Sequence, residues 1–517
     1  MLPAQETGKE RDPIEPPQGE PTKGPDPQRQ DPQPPARVEP PVPVDAEADD
    51  RGAPIRVLTL DDALRMGRTQ NVDLSAAELL PEQARLDMLF AEAGFEPELY
   101  VNGNYGEADS PRRSDFQPSN SQVTLDGAIG WRQRMITGGL FDLSYRPARF
   151  VTSGSNAFPD KLFTSEWSAS YRQPLLRGAW TDYNLASVNL ASFVHNQARH
   201  DFDSTVQDTL QGIVEAYWEL VYSRENWRVV MSALDVAKEQ LRITAERIRV
   251  RDLAPRDRVA DEAEVARRQE ELITAENEIR TREDDLRRLL FDAASPDFWR
   301  VNLRPISDMT VEPSTEKRAY EPLVGVALAN RPDLSSLRSQ VAQAEVALEQ
   351  ASSDALPSLD LIGAWSSDGA RDQFHQAWRD ATEAQYPDWS VGLEFSLPLG
   401  NNAARAARTR AELEVERRRR QLHAATLEAT REVRQAARNL NSLAESIRAS
   451  GESVRLAATN LDTEKVKLLV GASTAFEVQR RNQDLSEART RHLRNQLDYR
   501  VAESRLLFVQ GILAAPR

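Results

Sequence analysis

The amino-acid sequence predicts a mostly helical protein with additional β-strands, in which one structural unit occurs twice along the chain. The first observation is an internal repeat: residues 71–74 resemble residues 331–334 at an offset of 260, and residues 173–175 resemble residues 397–399 at an offset of 224. The second is a heptad spacing of apolar residues in long polar segments. The third is a strict alternation of apolar and polar residues between those segments. These patterns predict long coiled-coil helices joined to strands in each half.

Composition excludes several classes of protein. The chain has 517 residues, 40% of them hydrophobic, and this length allows about three domains. Its formal charge of −16 argues against a nucleic-acid partner. It has no cysteine, which excludes disulfides, thiolate zinc sites, cysteine nucleophiles and a lipid-modified N-terminal cysteine. The five histidines are scattered, and no nucleophile–base arrangement or phosphate-binding loop stands out, so we expect no enzyme, no cofactor and no metal site.

Residues 1–55 are predicted to form a disordered, acidic tail. They hold 14 of the 31 prolines, and few large apolar side chains lie between them. Such a segment cannot bury enough apolar surface to offset the entropy lost on ordering. The tail has no charged region followed by an apolar run, so no secretory signal peptide is visible. Taken literally, the lack of a visible signal peptide favours a cytoplasmic location. The alternative is that the N-terminus of this sequence is a processed or misassigned one.

The first repeat is predicted to span residues 57–310. It contains a helix over residues 61–95, strands within residues 99–174, a long helix over residues 184–251 and a shorter one over residues 257–292. At 1.5 Å per residue the long helix measures about 100 Å. Its seven apolar residues at strict intervals of seven are Val206, Ile213, Leu220, Trp227, Leu234, Leu241 and Ile248. They predict one buried stripe along the helix.

The second repeat is predicted to span residues 318–513, with a helix over residues 320–355, strands within residues 358–398, a long helix over residues 401–470 and a last helix over residues 475–512. The heptad stripe recurs at an offset of 220 as Val433, Leu440, Ile447, Val454, Leu461 and Leu468. At the same offset a third stripe, Val265, Leu272, Ile279 and Leu286, corresponds to a fourth, Leu485, His492, Tyr499 and Leu506. A strict heptad predicts a left-handed supercoil, so we expect these helices to wind around neighbours.

The segments between short and long helices alternate like β-strands. In residues 123–131 and 389–397 the odd-numbered residues are mostly apolar and the even-numbered ones mostly polar. In a water-soluble sheet this pattern means that the apolar face packs on a core. In an outer-membrane barrel it means that the apolar face meets lipid and the polar face lines an aqueous lumen. The alternation alone leaves both interpretations open.

Connection lengths favour the barrel. Residues 106–121, 151–162 and 366–388 form long polar connections, whereas residues 135–138 form a tight turn. Long loops at one end and short turns at the other are typical of outer-membrane barrels. The attached helices also favour the barrel, because a small packed sheet would not be expected to carry helices about 100 Å long.

At this point the chain resembles the TolC-like outer-membrane efflux proteins, over nearly all residues after 57. The motifs that carry the resemblance are residues 60–64, 71–74 and 331–334, Pro97 and Pro357 before strands, residues 173–176 and 396–399 at strand ends, and residues 470–471 at a helical hairpin. The resemblance implies a homotrimer that shares one β-barrel in the outer membrane and one helical α-barrel across the periplasm. It further implies a passive exit duct of a tripartite efflux or type I secretion system, fed by an inner-membrane transporter through a periplasmic adaptor.

The number of strands is expected to depart from the family pattern. Family protomers usually contribute four strands to the shared barrel. The strand region of the first half is about 36 residues longer than that of the second, as the two offsets of 260 and 224 indicate. Six strands per protomer, and 18 in a trimer, would account for this difference.

The resemblance also implies candidate site residues at the helical hairpins, where the family's periplasmic end narrows. Gly471 is followed by Glu477, and in the first half Arg251 stands where the glycine is usual and is followed by Asp257. Three copies of Asp257 and Glu477 around the axis would form a titratable, cation-attracting constriction. An equally weighted interpretation is that both acids stabilise the N-terminus of a helix, and the two roles are compatible.

The turn residues are the candidate contacts with the adaptor, namely Arg251, Asp252, Leu253, Gly471, Ala472 and Ser473. A second acid common in the family is replaced by Arg480. The tyrosine and arginine of the usual closed-state latch are replaced by Leu468 and Ser473. A constriction is therefore expected, without the familiar latch.

The sequence thus predicts an outer-membrane channel, in contact with outer-membrane lipid and extending into the periplasm. The alternative is a periplasmic or peripheral coiled-coil adaptor or scaffold without a pore, whose strands form a small packed domain. The two hypotheses differ in what the apolar face of the strands contacts.

Overall fold

The computed structural model describes residues 45–48, 54–110, 120–153, 160–251, 254–292, 294–295, 297–312 and 319–513. Residues 45–517 belong to one compact unit. Most of the predicted tail, residues 1–44 and 49–53, lies outside the described residues. The expected end of the tail is wrong, because β1 (Asp45–Ala48) and β2 (Pro54–Leu58) are strands.

The helices of the described residues carry most of the fold. They are α1 (Leu60–Gln70), α2 (Val72–Ala77), α3 (Leu79–Ala93), α4 (Trp180–Asn184), α5 (Ala186–Arg249), α6 (Pro255–Leu290), α7 (Asp297–Arg300), α8 (Glu321–Asn330), α9 (Pro332–Asp354), α10 (Phe374–Thr382), α11 (Asn402–Leu469) and α12 (Ala475–Val509). Both predicted long helices are present as α5 and α11, with 64 and 68 residues. Among the described residues, no helix combines the length and apolar character needed to cross a lipid bilayer.

Each predicted helix before the strands is interrupted at the repeated motif. Asn71 and Arg331, related by the offset of 260, both leave the helical region of backbone space, with ψ of 124° and 122°. The Asn71 side chain then caps α2 by accepting the Leu74 amide at 2.9 Å. Arg331 precedes Pro332, and a residue before proline disfavours the α conformation. The single helices expected over residues 61–95 and 320–355 are therefore split.

The long helices are covered by shorter ones placed end to end. α5 packs against α3 and α9, and also against α6 and α12. α11 packs against α9 and α12 in the same way. α9 contacts the first part of each long helix, as the Gln343–Gln197 and Arg418–Gln340 hydrogen bonds of 2.9 and 2.6 Å indicate. Two short helices thus match one long helix in each half.

The heptad residues line the interior of these helical layers. All four stripes consist of buried or half-buried side chains, and Ile213, Leu220 and Val433 are fully buried. Burying a leucine or isoleucine side chain contributes about 1.5–3 kcal/mol relative to leaving it exposed. The apolar stripe therefore holds the helices side by side, while the supercoil stays a prediction.

A small sheet lies beside α5, and the sequence patterns did not predict it. Its strand order is β1–β2–β7, where β7 is Asn302–Pro305, and β2 pairs with β7 in parallel. The fully buried Tyr217 of α5 donates its hydroxyl to the Leu58 carbonyl at 3.0 Å and lies 2.7 Å from the Ser307 hydroxyl. Strands this short carry too little alternation to be recognised in sequence.

The second sheet contains six antiparallel strands, in agreement with the expected number. Its order is β3–β4–β5–β6–β8–β9, so strands from both halves of the chain meet between β6 and β8. The strands are β3 (Glu98–Ser110), β4 (Asn120–Arg134), β5 (Leu140–Ser153), β6 (Lys161–Pro174), β8 (Ser358–Arg371) and β9 (Pro387–Ser396). Their pairing makes one continuous sheet within the chain.

The two ends of this sheet differ as expected, with one correction. At one end the β4–β5 turn closes through the Met135 amide, which donates to the Gly139 carbonyl at 2.7 Å, and Gly138 has a φ of 87°. At the other end residues 111–119 and 154–159 lie outside the described residues. The third connection, residues 366–388, is not a polar loop, because it contains the end of β8, helix α10 and the start of β9.

One polar residue occupies a heptad position in the helical layers. His492 of α12 is half-buried, and its Nδ1 lies 2.9 Å from the Ser450 hydroxyl of α11. Burial lowers the pKa of the His492 imidazole below its ordinary value of 6.5. The folded state therefore disfavours the imidazolium. The stability that neutral His492 allows is fully present above pH 6.5 and is lost as the pH falls from 6.5 through the lowered pKa of the folded state.

We expect the substitution His492→Leu to make the folded protein less sensitive to acid. A buried leucine should also add about 1 kcal/mol of stability at neutral pH. The measurement is the thermal unfolding midpoint of the purified protein at about pH 8 and about pH 5. His423→Leu, at an exposed histidine of α11, is the control and should leave the pH dependence unchanged. An equal pH dependence in wild type and H492L would contradict the prediction.

Candidate functional site

The six-stranded sheet has an apolar face, made of the odd-numbered side chains of its strands. Large side chains on this face keep at least 50% of their area exposed: Leu99, Val101, Tyr105, Leu125, Ile129, Trp389, Val391, Leu393 and Phe395. Within the described chain these side chains do not pack into a core. A contiguous apolar surface of this kind marks a contact with another protein or with lipid.

The even-numbered side chains form the polar face of the same sheet. Cross-strand neighbours on this face are ion pairs: Arg132 with Asp142, Arg146 with Glu166, and Arg172 with Asp360 and Glu394. Arg132 Nε lies 3.0 Å from Asp142 Oδ2, and the Tyr100 hydroxyl donates to Asp142 Oδ1 at 3.2 Å. Opposite charges on adjacent strands stabilise one register. Charged, ion-paired side chains of this kind are typical of a surface that contacts water.

The sheet ends in two strands that each pair on one side only. β3 pairs with β4, β9 pairs with β8, and neither has a second partner strand among the described residues. Every residue of β9 is exposed. Unpaired edges of this kind can pair with strands of another chain.

At the far end of the long helices, Arg251 and Gly471 occupy equivalent positions. α5 and α11 each end two residues earlier, and both residues adopt the left-handed conformation, with φ of 62° and 74°. The Gly471 amide donates to the Leu468 carbonyl at 3.2 Å and the Ala472 amide donates to the Lys467 carbonyl at 2.8 Å, which is a Schellman motif. The Arg251 amide donates to the Ile248 carbonyl at 3.0 Å in the same way. Arg251 therefore adopts the same left-handed conformation as Gly471.

The predicted constriction acids both lie in the first turn of a helix. Glu477 belongs to α12, where its amide donates to the Thr474 hydroxyl at 3.3 Å and its carboxylate lies 4.0 Å from Arg481. Asp257 belongs to α6, and its side chain lies outside what the structure describes. This placement agrees with helix stabilisation for Glu477. Convergence of the acids on an axis needs further copies of the chain and stays a prediction.

The structure describes four of the six candidate adaptor contacts. Arg251, Gly471 and Ala472 are exposed and Ser473 is half-buried, whereas residues 252–253 lie outside the described residues. The four residues belong to two separate hairpin turns. They are accessible in the chain as described.

Sequence reasoning missed two groups of residues. The ion pairs of the polar face require the strand register, and only the alternation of arginines and acids within residues 126–172 signalled them. Helix α10 lies in a segment expected to be a loop. The signal for it is the helical spacing of the apolar residues Phe374, Ala377, Trp378 and Ala381.

Comparison with known proteins supports the resemblance predicted from sequence. Residues 323–511 match the family model described as outer membrane efflux protein. The chain is 28% identical over 233 residues to the alkaline protease secretion protein AprF of Pseudomonas aeruginosa, which covers 43% of this chain and 47% of that protein. The chain therefore matches about half the length of this curated relative.

Solved structures share the fold over most of the chain. The outer membrane channel CmeC of Campylobacter jejuni is similar with a TM-score of 0.64 and 14% identity, over 87% of this chain and 85% of that one. The outer membrane protein VceC of Vibrio cholerae is similar with a TM-score of 0.62 and 16% identity, over 87% of this chain and 96% of that one. The predicted resemblance to the TolC-like outer-membrane efflux proteins is thereby confirmed.

The two hairpin turns predict opposite effects of matched substitutions. Gly471→Ala should lower stability by about 1–2 kcal/mol, because a Cβ is disfavoured at positive φ. Arg251→Gly should not lower stability, because it removes the same penalty in the folded state.

The measurement is the thermal unfolding midpoint of each purified variant. Gly325→Ala is the control, since Gly325 lies inside helix α8 and no atom lies within 4 Å of the added Cβ. It should raise the midpoint, because alanine favours helix more than glycine does. Loss of stability in R251G equal to that in G471A would show that the side chain of Arg251 matters more than its backbone.

Proposed function

Because residues 323–511 match the outer membrane efflux protein family and the chain has the fold of outer-membrane channels, we propose that the protein is an outer-membrane exit duct. It conducts small molecules or proteins passively, as part of a tripartite efflux or type I secretion system. The observation that carries the proposal is the two-faced sheet. Its apolar face is exposed and suited to lipid, whereas its polar face carries ion pairs suited to a water-filled lumen.

Closure of the barrel requires further copies of the chain. The edge of β9 in one protomer pairs with the edge of β3 in the next, and a three-fold axis closes the ring. Three copies of six strands give 18 strands in the homotrimer. Barrels of about 16–18 strands leave an aqueous channel, so this barrel is wide enough to conduct. Closure also removes both unpaired edges, as the bilayer requires.

The helices extend the aqueous channel into the periplasm. α5, α6, α11 and α12 of three protomers form the α-barrel, with the heptad stripes inside each layer. The hairpin turns at Arg251 and Gly471 lie at its far end, where a periplasmic adaptor that carries the inner-membrane transporter docks. AprF is named for protease secretion and the matching family model for outer membrane efflux, which supports both candidate systems.

The carboxylates near those turns form the constriction. Asp257 and Glu477 each recur three times around the axis and attract cations. Their place in the first helical turn serves helix stability as well, and Arg481 offsets part of the Glu477 charge. The latch residues of the family are absent, so opening depends on the adaptor.

The alternative, an adaptor or scaffold without a pore, fits the structure less well. It requires the strands to pack their apolar side chains on a core, but Leu99, Val391 and Leu393 each keep at least 68% of their area exposed. No described helix covers them at the sheet edges, where the contacts of β3 and β9 are with their strand neighbours.

Charges added to the two faces of β9 should act differently. Val391→Arg places a cation on the apolar face and should destabilise the membrane form by about 2–4 kcal/mol, whereas Ser390→Arg places it on the polar face and should be tolerated. The measurement is the fraction of protein recovered as a detergent-extracted trimer from outer membranes, and the trimer's conductance in planar bilayers. Recovery of the wild-type chain as a detergent-free monomer would refute the proposal.

Removing the two acids should weaken cation preference. The double variant D257N/E477Q should shift the reversal potential in a salt gradient toward zero, because the constriction loses its carboxylates. Glu416→Gln, at an exposed carboxylate in the first part of α11, is the control and should change selectivity little. Unchanged selectivity in the double variant would leave both acids with the helix-stabilising role alone.

A further inference from the structure

Helix α10 lies on the apolar face of the six-stranded sheet. It follows β8 and packs on β8 and β6. Ala377 and Ala381 are buried beneath it, and a Cβ on Gly369 would lie 2.0 Å from the Ala377 carbonyl oxygen. Gly369 is odd-numbered, as are the exposed residues Val391 and Leu393 of the apolar face. The helix therefore lies on the side that faces the membrane in the proposed function.

The position of α10 along the strands places it near the outward end of the sheet. Gly369 pairs with Ser165, four residues from the start of β6, and the long connections lie at this end. Around it the apolar face is rich in exposed aromatic side chains: Phe374, Trp378, Tyr386, Trp389 and Trp365. Aromatic residues of this kind mark the boundary between hydrocarbon and headgroups. In the proposed function this places α10 at the level of lipid headgroups.

Two cations stand beside the helix on the same face. Arg149 of β5 and Lys161 of β6 both lie over the ring of Phe163, at 5.9 and 5.1 Å from its centroid. Phe163 in turn contacts Phe374 of α10, with ring centroids 6.3 Å apart. Both cations are exposed, and neither pairs with a carboxylate in the described part of the chain. By contrast Arg371 pairs with Asp380 of α10 at 2.5 Å, which anchors the helix.

We propose that Arg149 and Lys161, with Phe163 and helix α10, form a binding site for the phosphate groups of a phosphorylated lipid in the outer leaflet. The inference rests on the proposed function, since it needs the apolar face to contact lipid. The ring of Phe163 positions both cations, and the neighbouring aromatic rings contact the upper acyl chains, while the cations neutralise the phosphates. Among the described residues of the polar face, Arg132, Arg146 and Arg172 already pair with carboxylates, and Arg134 donates to the Asn184 side chain.

The test measures lipid binding by the full-length trimer in an uncharged detergent. Native mass spectrometry or a thermal-shift titration compares diphosphorylated lipid A with its dephosphorylated form and with inorganic phosphate. We expect binding of diphosphorylated lipid A only. The double variant R149Q/K161Q should bind it about thirtyfold more weakly, since each cation near an anionic surface contributes about a fivefold change.

Controls separate this inference from the proposed function. R149K keeps the charge and should retain binding, and R146Q removes an arginine from the polar face of the same strand and should also retain it. Conductance in phosphatidylcholine bilayers is measured on the same preparations. A double variant that conducts and still binds lipid A like wild type would overturn the inference alone, as would equal binding of inorganic phosphate. A wild-type chain that neither inserts nor conducts would overturn the proposed function.

Discussion

The opposed polarity of the two faces of the six-stranded sheet is the constraint on which the rest of the structure depends. Each strand alternates, so the hydrogen-bonded register brings arginines and acids together on one face and leaves apolar side chains on the other. A shift of one residue in any strand would exchange the two faces. The exposed apolar face and the edges of β3 and β9, each paired on one side only among the described residues, are the features on which the proposed membrane barrel rests.

The helical part also depends on a periodic sequence pattern, the heptad spacing of its apolar residues. A stripe at every seventh residue buries one side of α5 and α11 and leaves the other sides polar, so that the helices form layers instead of a globular core. Short helices at the two ends of each long helix complete the layers. Asn71 and Arg331 break the chain with similar backbone angles, and Arg251 adopts the left-handed conformation of Gly471, as the predicted duplication leads us to expect.

The two halves of the chain differ in their strands, in helix α10 and at the hairpin turns. The first half contributes four strands to the sheet and the second half two, so the halves are no longer equivalent in the proposed barrel. The second half instead carries α10, seated on the apolar face through Gly369 and the Arg371–Asp380 pair. The two hairpin turns also differ, because Arg251 stands in one where Gly471 stands in the other. In the proposed function these differences concern the surfaces that meet lipid and partner proteins.

The sequence by itself predicted the repeat, and it determined the two long helices, their buried stripes, the six strands and the position of both hairpin turns, because each of these follows from a local period or a local turn residue. It also placed Asp257 and Glu477 at helix starts. Only the tertiary structure decided the small sheet around Tyr217, the ion pairs such as Arg172 with Glu394, and the position of α10 on the six-stranded sheet. These contacts join residues that are far apart in the chain, so their partners are chosen by strand register and packing, which no local pattern records.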